Sequence, residues 1–128
     1  MGEKFIMKYL YLLPIFFFLG GCQTTNSYPI NKITAQKSGI VASWYSSGRR
    51  TASGQHFDPN GNTVAHRTLP FGTQLKLTNP FNGKSIVAIV NDRGPFVRGT
   101  GLDVTRGGAQ KLGFISQGKT RLIMEVLR

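Results

Sequence analysis

The sequence predicts a mainly β domain of about six strands and one short helix, closed into a barrel and preceded by an N-terminal targeting segment. Two observations predict this class. From residue 39 onward, short runs of apolar and β-branched residues are separated by Gly, Pro and Asn, and only one segment has helix signals at both of its ends. With 128 residues the chain has room for one domain, because domains commonly have roughly 100–200 residues.

Residues 1–21 have the residue order of an export signal. Two lysines precede an apolar run, and Leu-Gly-Gly-Cys follows it and ends at Cys22. The run has about 12 residues, whereas a membrane-spanning helix needs about 20, so we expect the segment to be removed. Small residues before a cysteine are typical of the lipobox of bacterial lipoproteins, which predicts lipid, palmitate included, on Cys22. The alternatives are an ordinary signal peptide with an unrelated cysteine and a buried apolar helix.

Residues 22–38 are predicted to be the lipidated cysteine and a flexible tether, and residues 39–128 the folded domain. The tether is rich in Gln, Thr, Asn, Ser and Lys and has no sustained apolar period. Only Ile30 and Ile33 favour an edge strand within it. We expect the lipid to hold the protein in the cell envelope. The outer membrane, facing the periplasm, is favoured because the residue after the cysteine is Gln rather than Asp.

The charge balance favours anionic partners. The chain has 16 Lys and Arg against 5 Asp and Glu, and removal of residues 1–21 leaves 14 against 4, a formal charge of +10. For an exported protein the anionic candidates are cell-wall polymer and lipid head groups, and without a recognition motif we expect no nucleic-acid partner. Cys22 is the only cysteine, which excludes an internal disulfide and thiolate ligation. His56 and His66 alone do not make a metal motif, so we expect neither metal nor cofactor.

The strands of the domain follow in order. Residues 39–45 are an apolar first strand, and residues 72–78 and 85–91 flank the turn sequence Asn-Pro-Phe-Asn-Gly-Lys, which predicts a β-hairpin. Residues 87–90 are apolar at every position, as expected for a strand buried on both faces within a barrel. Residues 120–127 are predicted to be the closing strand.

One short helix is predicted over residues 105–113. Thr105 is a suitable N-cap and Gly113 a suitable residue at the C-terminal end. Gly107 and Gly108 lower the helix propensity of the first turn.

Four polar blocks lie in and near two long loops, residues 46–62 and 92–101, where a barrel places its functional groups. With the block of the first strand, five blocks follow one another in the order Ala-Ser-Trp-Tyr, Thr-Ala-Ser-Gly, Ala-His-Arg-Thr-Leu-Pro-Phe-Gly-Thr, Val-Asn-Asp-Arg-Gly-Pro-Phe and Leu-Asp-Val-Thr. In this order they resemble the rare lipoprotein A family, the double-psi β-barrel lytic transglycosylases of the bacterial envelope. The resemblance covers residues 39–128. It implies a six-stranded double-psi β-barrel and endolytic cleavage of peptidoglycan between N-acetylmuramic acid and N-acetylglucosamine, with formation of 1,6-anhydro-muramic acid.

The resemblance also implies site residues. The proposed active site of the family includes the positions of His66 and Asp92, and Asp103 matches an acid of the related expansin barrels, so these three are candidate catalytic residues. The family has an acid where this chain has Gln55, and an amide cannot exchange a proton near neutral pH. Gln55 is therefore a candidate for binding the glycan. The other candidates for binding it are Trp44, Tyr45, Arg67 and Arg93.

Lytic cleavage requires fewer catalytic groups than hydrolysis. A hydrolytic glycosidase uses two carboxyl groups, whereas in lytic cleavage the 6-hydroxyl of muramic acid attacks its own anomeric carbon, so one carboxyl can serve as acid and then as base. Asp92 can have both roles if burial or the charge of Asp103 raises its pKa. In ordinary structural roles, Asp92 would be a turn residue paired with Arg93, and Asp103 would brace the start of the helix. The aromatic rings of Trp44 and Tyr45 would then pack in the core.

The alternative function is that of a non-catalytic, expansin-like envelope lipoprotein that binds peptidoglycan, and Gln55 favours it. For both functions the expected partners are peptidoglycan glycan strands and, through the lipid on Cys22, the membrane. We expect a monomer, with cell-division proteins as candidate protein partners.

Overall fold

The computed structural model describes residues 35–127. The predicted signal segment, Cys22 and nearly all of the predicted tether therefore lie outside the described residues. In chain order the elements are β1 (Lys37–Tyr45), β2 (Thr63–Ala65), β3 (Gln74–Thr78), β4 (Ser85–Asp92), β5 (Leu102–Thr105), α1 (Arg106–Leu112) and β6 (Lys119–Leu127).

The six strands form one closed barrel in the order β1-β5-β2-β4-β3-β6. β1 is parallel to β5 and β2 is parallel to β4, and the other neighbouring pairs are antiparallel. The predicted class, a six-stranded double-psi β-barrel with one short helix, is confirmed. β1 begins at Lys37, two residues before the predicted start of the domain, because Lys37 and Ser38 continue its pairing with β6. Within residues 35–127 no helix is long and apolar enough to cross a membrane.

The interior of the barrel is filled by alternate residues of the strands and by the helix. The buried cluster consists of Ala42, Val64, Leu75, Leu77, Ala88, Val90, Leu102, Val104, Ala109, Leu112, Phe114 and Leu122. In β4, Ala88 and Val90 are fully buried, but Val87 and Ile89 are 48% and 41% exposed. The expectation that this strand is buried on both faces is therefore wrong, because successive side chains of a strand point to opposite faces and only one face of β4 lies inside.

The predicted hairpin is confirmed, since β3 pairs antiparallel with β4 across the turn at residues 79–84. This turn also holds the end of the helix. The side-chain amides of Asn79 and Asn82 both donate to the carbonyl oxygen of Leu112, at 2.8 and 3.0 Å. Two turn residues thus satisfy a carbonyl that the end of a helix leaves without an intrahelical partner.

The predicted helix is confirmed at both ends. Thr105 Oγ1 accepts the backbone N–H of Gly108 at 3.2 Å, and Gly113 has the left-handed φ of 75° that is common after a helix. The glycines of the first turn have a packing reason. A Cβ on Gly107 would lie 2.6 Å from the carbonyl oxygen of Asn60, so a side chain here would prevent the close approach of the helix to the loop before β2.

Candidate active site

Two carboxyl groups are placed at one end of the barrel by three neighbouring strands. Asp92 is the last residue of β4, and Asp103 lies in β5. Ala65 of β2 pairs with Asp92 on one side and with Asp103 on the other, and neighbouring strands lie about 4.8 Å apart. His66, which follows β2, donates its backbone N–H to the Asp92 carbonyl at 3.2 Å. The three candidate catalytic residues are thus brought together.

A bulge in the pairing of β2 with β4 shapes this end of the barrel. Val64 pairs with Val90 and Ala65 with Asp92, so Asn91 is skipped. Asn91 is buried, and its side-chain amide donates to Oε1 of Gln55 at 3.1 Å. Bulges commonly re-aim side chains next to functional sites. Here the bulge lets the side chain of the residue before Asp92 hold Gln55, a predicted binding residue.

The Asp92 carboxylate accepts three hydrogen bonds. Its Oδ1 receives the backbone N–H groups of Ala52 at 2.8 Å and of Arg93 at 2.9 Å, and its Oδ2 receives the hydroxyl of Tyr45 at 3.5 Å. An ionised carboxylate can only accept hydrogen bonds, so this set of donors suits an anion that is held in a fixed orientation. Arg93 contributes its backbone to Asp92, and its guanidinium binds elsewhere.

Asp103 is the carboxyl group with a raised pKa. It is half-buried, and burial is the main cause of the raised pKa because it removes water from the charged form. The Ser43 hydroxyl, which donates to Oδ1 at 2.9 Å, lowers this pKa, and the negative charge of Asp92 raises it. From the sequence, a raised pKa was expected at Asp92. In the structure, burial raises the pKa of Asp103.

Tyr45 is a neutral hydrogen-bond donor to Asp92. It lies on the same face of β1 as Ser43, its ring stacks on Phe57 with centroids 4.9 Å apart, and its hydroxyl donates to Asp92. Burial raises the pKa of Tyr45 far above its ordinary value, and the charges of Asp92 and Asp103 raise it further. Tyr45 is therefore a permanent hydrogen-bond donor at neutral pH.

His66 is a neutral residue at the edge of the site. Its Nδ1 accepts the backbone N–H groups of Thr68 at 3.2 Å and of Leu69 at 3.1 Å. Burial lowers the pKa of His66, and the positive charges of Arg93 and Arg67 lower it further. The imidazole therefore carries no charge at neutral pH.

The guanidinium of Arg67 is occupied by the backbone of the β4–β5 loop (residues 93–101). Its Nε donates to the carbonyl of Pro95 at 2.6 Å, and its Nη2 donates to the carbonyls of Val97 and Thr100, both at 3.0 Å. Arg67 was predicted to bind the glycan, and the structure shows these donors holding the loop that follows Asp92.

The guanidinium of Arg93 binds the backbone of the β2–β3 loop (residues 66–73) in the same way. Its Nη1 donates to the carbonyls of His66 at 3.3 Å and of Leu69 at 2.8 Å, and its Cζ lies 3.8 Å from the centroid of the Phe71 ring. The residue after Asp92 thus fixes the loop that carries His66. Each of the two arginines, both predicted to bind the glycan, joins its own loop to the other one.

The structure does not bring Trp44 to the carboxyl groups. Trp44 lies on the opposite face of β1 from Ser43 and Tyr45, where its indole packs against the core and donates to the carbonyl of Ile115 at 3.2 Å. Tyr45, by contrast, donates its hydroxyl to Asp92. The alternation of strand side chains thus separates two neighbouring residues that were both predicted to bind the glycan.

Two groups of the site were missed from the sequence. Ser43 binds Asp103, and the period of two in a strand, which places it with Tyr45, was a usable signal. The backbone N–H of Ala52 binds Asp92, and a main-chain donor has no signature in the sequence. In the part of the chain that the structure describes, no three side chains of His, Cys, Asp or Glu are grouped so that they could hold a metal ion.

The barrel with two aspartates at its end belongs to a known class. Residues 37–123 match the family model described as lytic transglycolase, and the chain is a member of that family. It is 46% identical over 93 residues to the probable endolytic peptidoglycan transglycosylase RlpA of Synechocystis sp., which covers 70% of this chain and 29% of the relative. It is also 46% identical over 87 residues to the endolytic peptidoglycan transglycosylase RlpA of Neisseria meningitidis, which covers 66% of this chain and 36% of the relative. The chain thus spans about a third of the length of these relatives.

A solved structure shares the fold. The barrel resembles a mutant of the Clavibacter michiganensis expansin in complex with cellohexaose, with a TM-score of 0.60 at 18% identity, over 73% of this chain and 51% of the expansin. The likeness shows that both chains have the same barrel.

Proposed function

We propose that this chain is an endolytic lytic transglycosylase that cleaves peptidoglycan glycan strands. Its family membership and the activity named for its relatives support the proposal. The observation that carries it is the difference between two neighbouring carboxyl groups. Asp92 is held by three donors as an acceptor, and Asp103 has a raised pKa. An acid and a base at the same end of the barrel are what a proton-transfer site requires.

The two carboxyl groups supply both proton transfers of lytic cleavage. The 6-hydroxyl oxygen of N-acetylmuramic acid bonds to its own anomeric carbon, the bond from that carbon to the bridging oxygen breaks, and a 1,6-anhydro end forms. Asp103 gives its proton to the bridging oxygen, and Asp92 takes the proton of the 6-hydroxyl, so the number of protons is unchanged. Asp92 then returns its proton to Asp103 before the next turnover. In the simpler scheme expected from the sequence, Asp92 performs both steps.

The remaining predicted residues would act around this pair. The Tyr45 hydroxyl and the Gln55 amide are neutral groups beside Asp92 and would bind sugar oxygens or orient the carboxylate. Arg67 and Arg93 would act through the loops that they hold. Trp44 would contribute through the packing of β1.

The direct test is digestion of cell-wall sacculi and denuded glycan strands by the purified protein in detergent, followed by mass measurement of the glycan ends. We expect 1,6-anhydro ends from the wild type and at least a hundredfold slower release from Asp92→Asn and from Asp103→Asn, since general acid and base groups commonly contribute roughly 10²–10⁴-fold. Asp58→Asn is the matched control, because Asp58 is an exposed aspartate whose side chain binds the backbone of its own turn. Absence of anhydro ends would overturn the proposal, and loss of activity in Asp92→Asn alone would favour the simpler scheme.

A second function is favoured by one observation. Gln55, which is hydrogen-bonded to Asn91 beside Asp92, occupies the position where the sequence resemblance implies an acid. A non-catalytic peptidoglycan-binding protein would bind sacculi without releasing fragments, and Asp92→Ala would change its affinity only slightly. Gln55→Glu distinguishes the two functions. Activity that appears only in this variant favours the binding function of the wild type, whereas activity already present in the wild type excludes it.

The cellular location belongs to the same proposal. A protein lipidated at Cys22 and held at the outer membrane, facing the periplasm, would meet the anionic wall polymer that its basic charge favours. Metabolic labelling with palmitate should mark the wild type and leave Cys22→Ser unlabelled. Cell-division proteins are the protein partners to seek at this location, by co-purification with the labelled protein. Equal labelling of both forms would contradict the anchor.

A further inference from the structure

The hydrogen bonds of His66 determine which ring nitrogen carries the proton. Nδ1 accepts from two backbone N–H groups, those of Thr68 and Leu69, at 3.2 and 3.1 Å. A backbone N–H cannot act as an acceptor, and a neutral imidazole has one N–H donor and one bare acceptor nitrogen. Nδ1 is therefore the bare nitrogen, and the proton resides on Nε2.

The charged groups around His66 oppose a second proton. Arg93 donates to the His66 carbonyl, Arg67 is the next residue, and both guanidinium groups are positive. The Asp92 carboxylate, on the neighbouring strand, is engaged by its own three donors. Protonation of Nδ1 would place an N–H against two other N–H groups and break both bonds of the turn, which is consistent with the lowered pKa of His66.

The other ring nitrogen is available to a ligand. Among residues 35–127, none accepts a hydrogen bond from Nε2, and Nε2 is not one of the buried atoms left without a partner, so this N–H faces solvent. It belongs to the residue that directly follows the strand between Asp92 and Asp103. We infer that His66 is a fixed, neutral hydrogen-bond donor that binds an acceptor oxygen of the glycan through Nε2–H and takes no part in proton transfer. The inference rests on the proposed function for the identity of the ligand.

Two amide substitutions of His66 distinguish the roles of its two ring nitrogens. In His66→Asn the side-chain oxygen can replace Nδ1 in the turn, but no group reaches the position of Nε2. In His66→Gln an amide N–H₂ can reach that position, but the turn loses its acceptor. We expect His66→Asn to keep the thermal midpoint of the wild type and to lose about tenfold in kcat/KM, as for one hydrogen bond of ordinary net strength. His66→Gln should lose thermal stability and keep a higher kcat/KM than His66→Asn.

The pH dependence of kcat/KM is a further measurement, and a purely structural role of His66 would not change its shape. Both variants should keep the shape of the wild-type profile of kcat/KM, because His66 does not titrate in the reaction. If His66 were a general acid or base, both substitutions would lower kcat/KM by roughly 10²–10⁴-fold and remove one limb of the profile. That result would overturn the inference.

Nitrogen-15 NMR of the histidine rings tests the tautomer without any substrate. We expect His66 to show a protonated Nε2 and an unprotonated Nδ1 at pH 7, and to gain a second proton only at a pH below the ordinary histidine value of about 6.5. The exposed His56 is the reference in the same spectrum, and His56→Gln assigns the signals. A proton on Nδ1 of His66 at pH 7 would overturn the inference even if anhydro ends are formed. The expected pattern in a protein that forms no such ends would leave the tautomer standing and remove only the proposed function.

Discussion

Folding changes how tightly the carboxyl group of Asp103 holds its proton. Burial raises the pKa of Asp103, so the folded protein binds this proton more tightly than the unfolded chain does. Stability therefore falls as the pH rises from below the ordinary value of 3.8 through the raised value of the folded state. Asp103, the proposed acid, thus weakens the fold at neutral pH, as is common at functional sites.

Asp103→Asn should therefore raise the free energy of unfolding at pH 7, because the neutral amide does not have to lose the hydration of a charge. The gain should shrink as the pH falls through the raised pKa of the folded state towards 3.8, and it should vanish at lower pH, where the carboxyl is protonated in both states. Urea denaturation over a series of pH values measures it. Asp58→Asn, at an exposed turn, is the control. A difference between Asp103→Asn and the wild type that does not vary with pH would contradict the prediction.

The sequence identifies the residues of the site better than their roles. Motifs indicated Asp92, Asp103 and His66, and the strands bring them together. The distribution of protons among them depends on burial and on backbone N–H groups such as that of Ala52, and neither can be read from a one-dimensional pattern. For the same reason the sequence could not show that the guanidinium of Arg67 binds carbonyl oxygens of a loop.

At the scale of single elements, α1 depends on a close approach to the loop before β2. Gly107→Ala should lower the free energy of unfolding by about 1–3 kcal/mol, although alanine favours an isolated helix by about 1 kcal/mol over glycine. The reason is that its Cβ would lie 2.6 Å from the Asn60 carbonyl oxygen. Gln110→Ala, at an exposed position of the same helix, should change stability little. Chemical denaturation checks both, and a Gly107→Ala protein as stable as the wild type would contradict the prediction.

The β4–β5 loop depends on Arg67. Arg67→Met removes three hydrogen bonds to the carbonyls of Pro95, Val97 and Thr100. We expect a loss of at least about 2 kcal/mol in the free energy of unfolding, because Pro95 and Thr100 are buried and their carbonyls lose a charged donor. Amides of residues 93–101 should exchange faster with deuterium than in the wild type. Arg98→Met, at an exposed arginine of the same loop, is the control. Equal effects of the two substitutions would show that Arg67 does not hold the loop.

Elements with recognisable turn or cap residues were predicted from the sequence, whereas the two shortest strands were not. The helix was recognised by Thr105 and Gly113, and the hairpin by its turn sequence. β2 has three residues and β5 has four, which is too short for a period to be counted. These two strands are defined by their pairing with distant parts of the chain, so their sequences alone could not locate them.

At the scale of the whole molecule, closure of the barrel should make unfolding cooperative. Trp44 is the only tryptophan, and it lies on β1, which pairs with both β5 and β6. We expect its fluorescence and the far-UV circular dichroism to change at the same urea concentration, as in a two-state transition. Trp44→Phe, which lacks the hydrogen bond to Ile115, should unfold with a free energy about 1 kcal/mol lower. Two separate midpoints in the wild type would show that the barrel is not one cooperative unit.

The position of β2 has a consequence for how this barrel can diversify. Because Ala65 pairs with both Asp92 and Asp103, the separation of the two carboxyl-bearing backbones is set by main-chain ladders that side-chain replacements leave in place. The loops of residues 46–62 and 93–101 lie outside these ladders and are fixed at single points, such as the Ala52 N–H bound to Asp92 and the Pro95 carbonyl bound to Arg67. Replacements elsewhere in these loops can therefore change the surface around the two carboxyl groups and leave the spacing of their backbones unaltered.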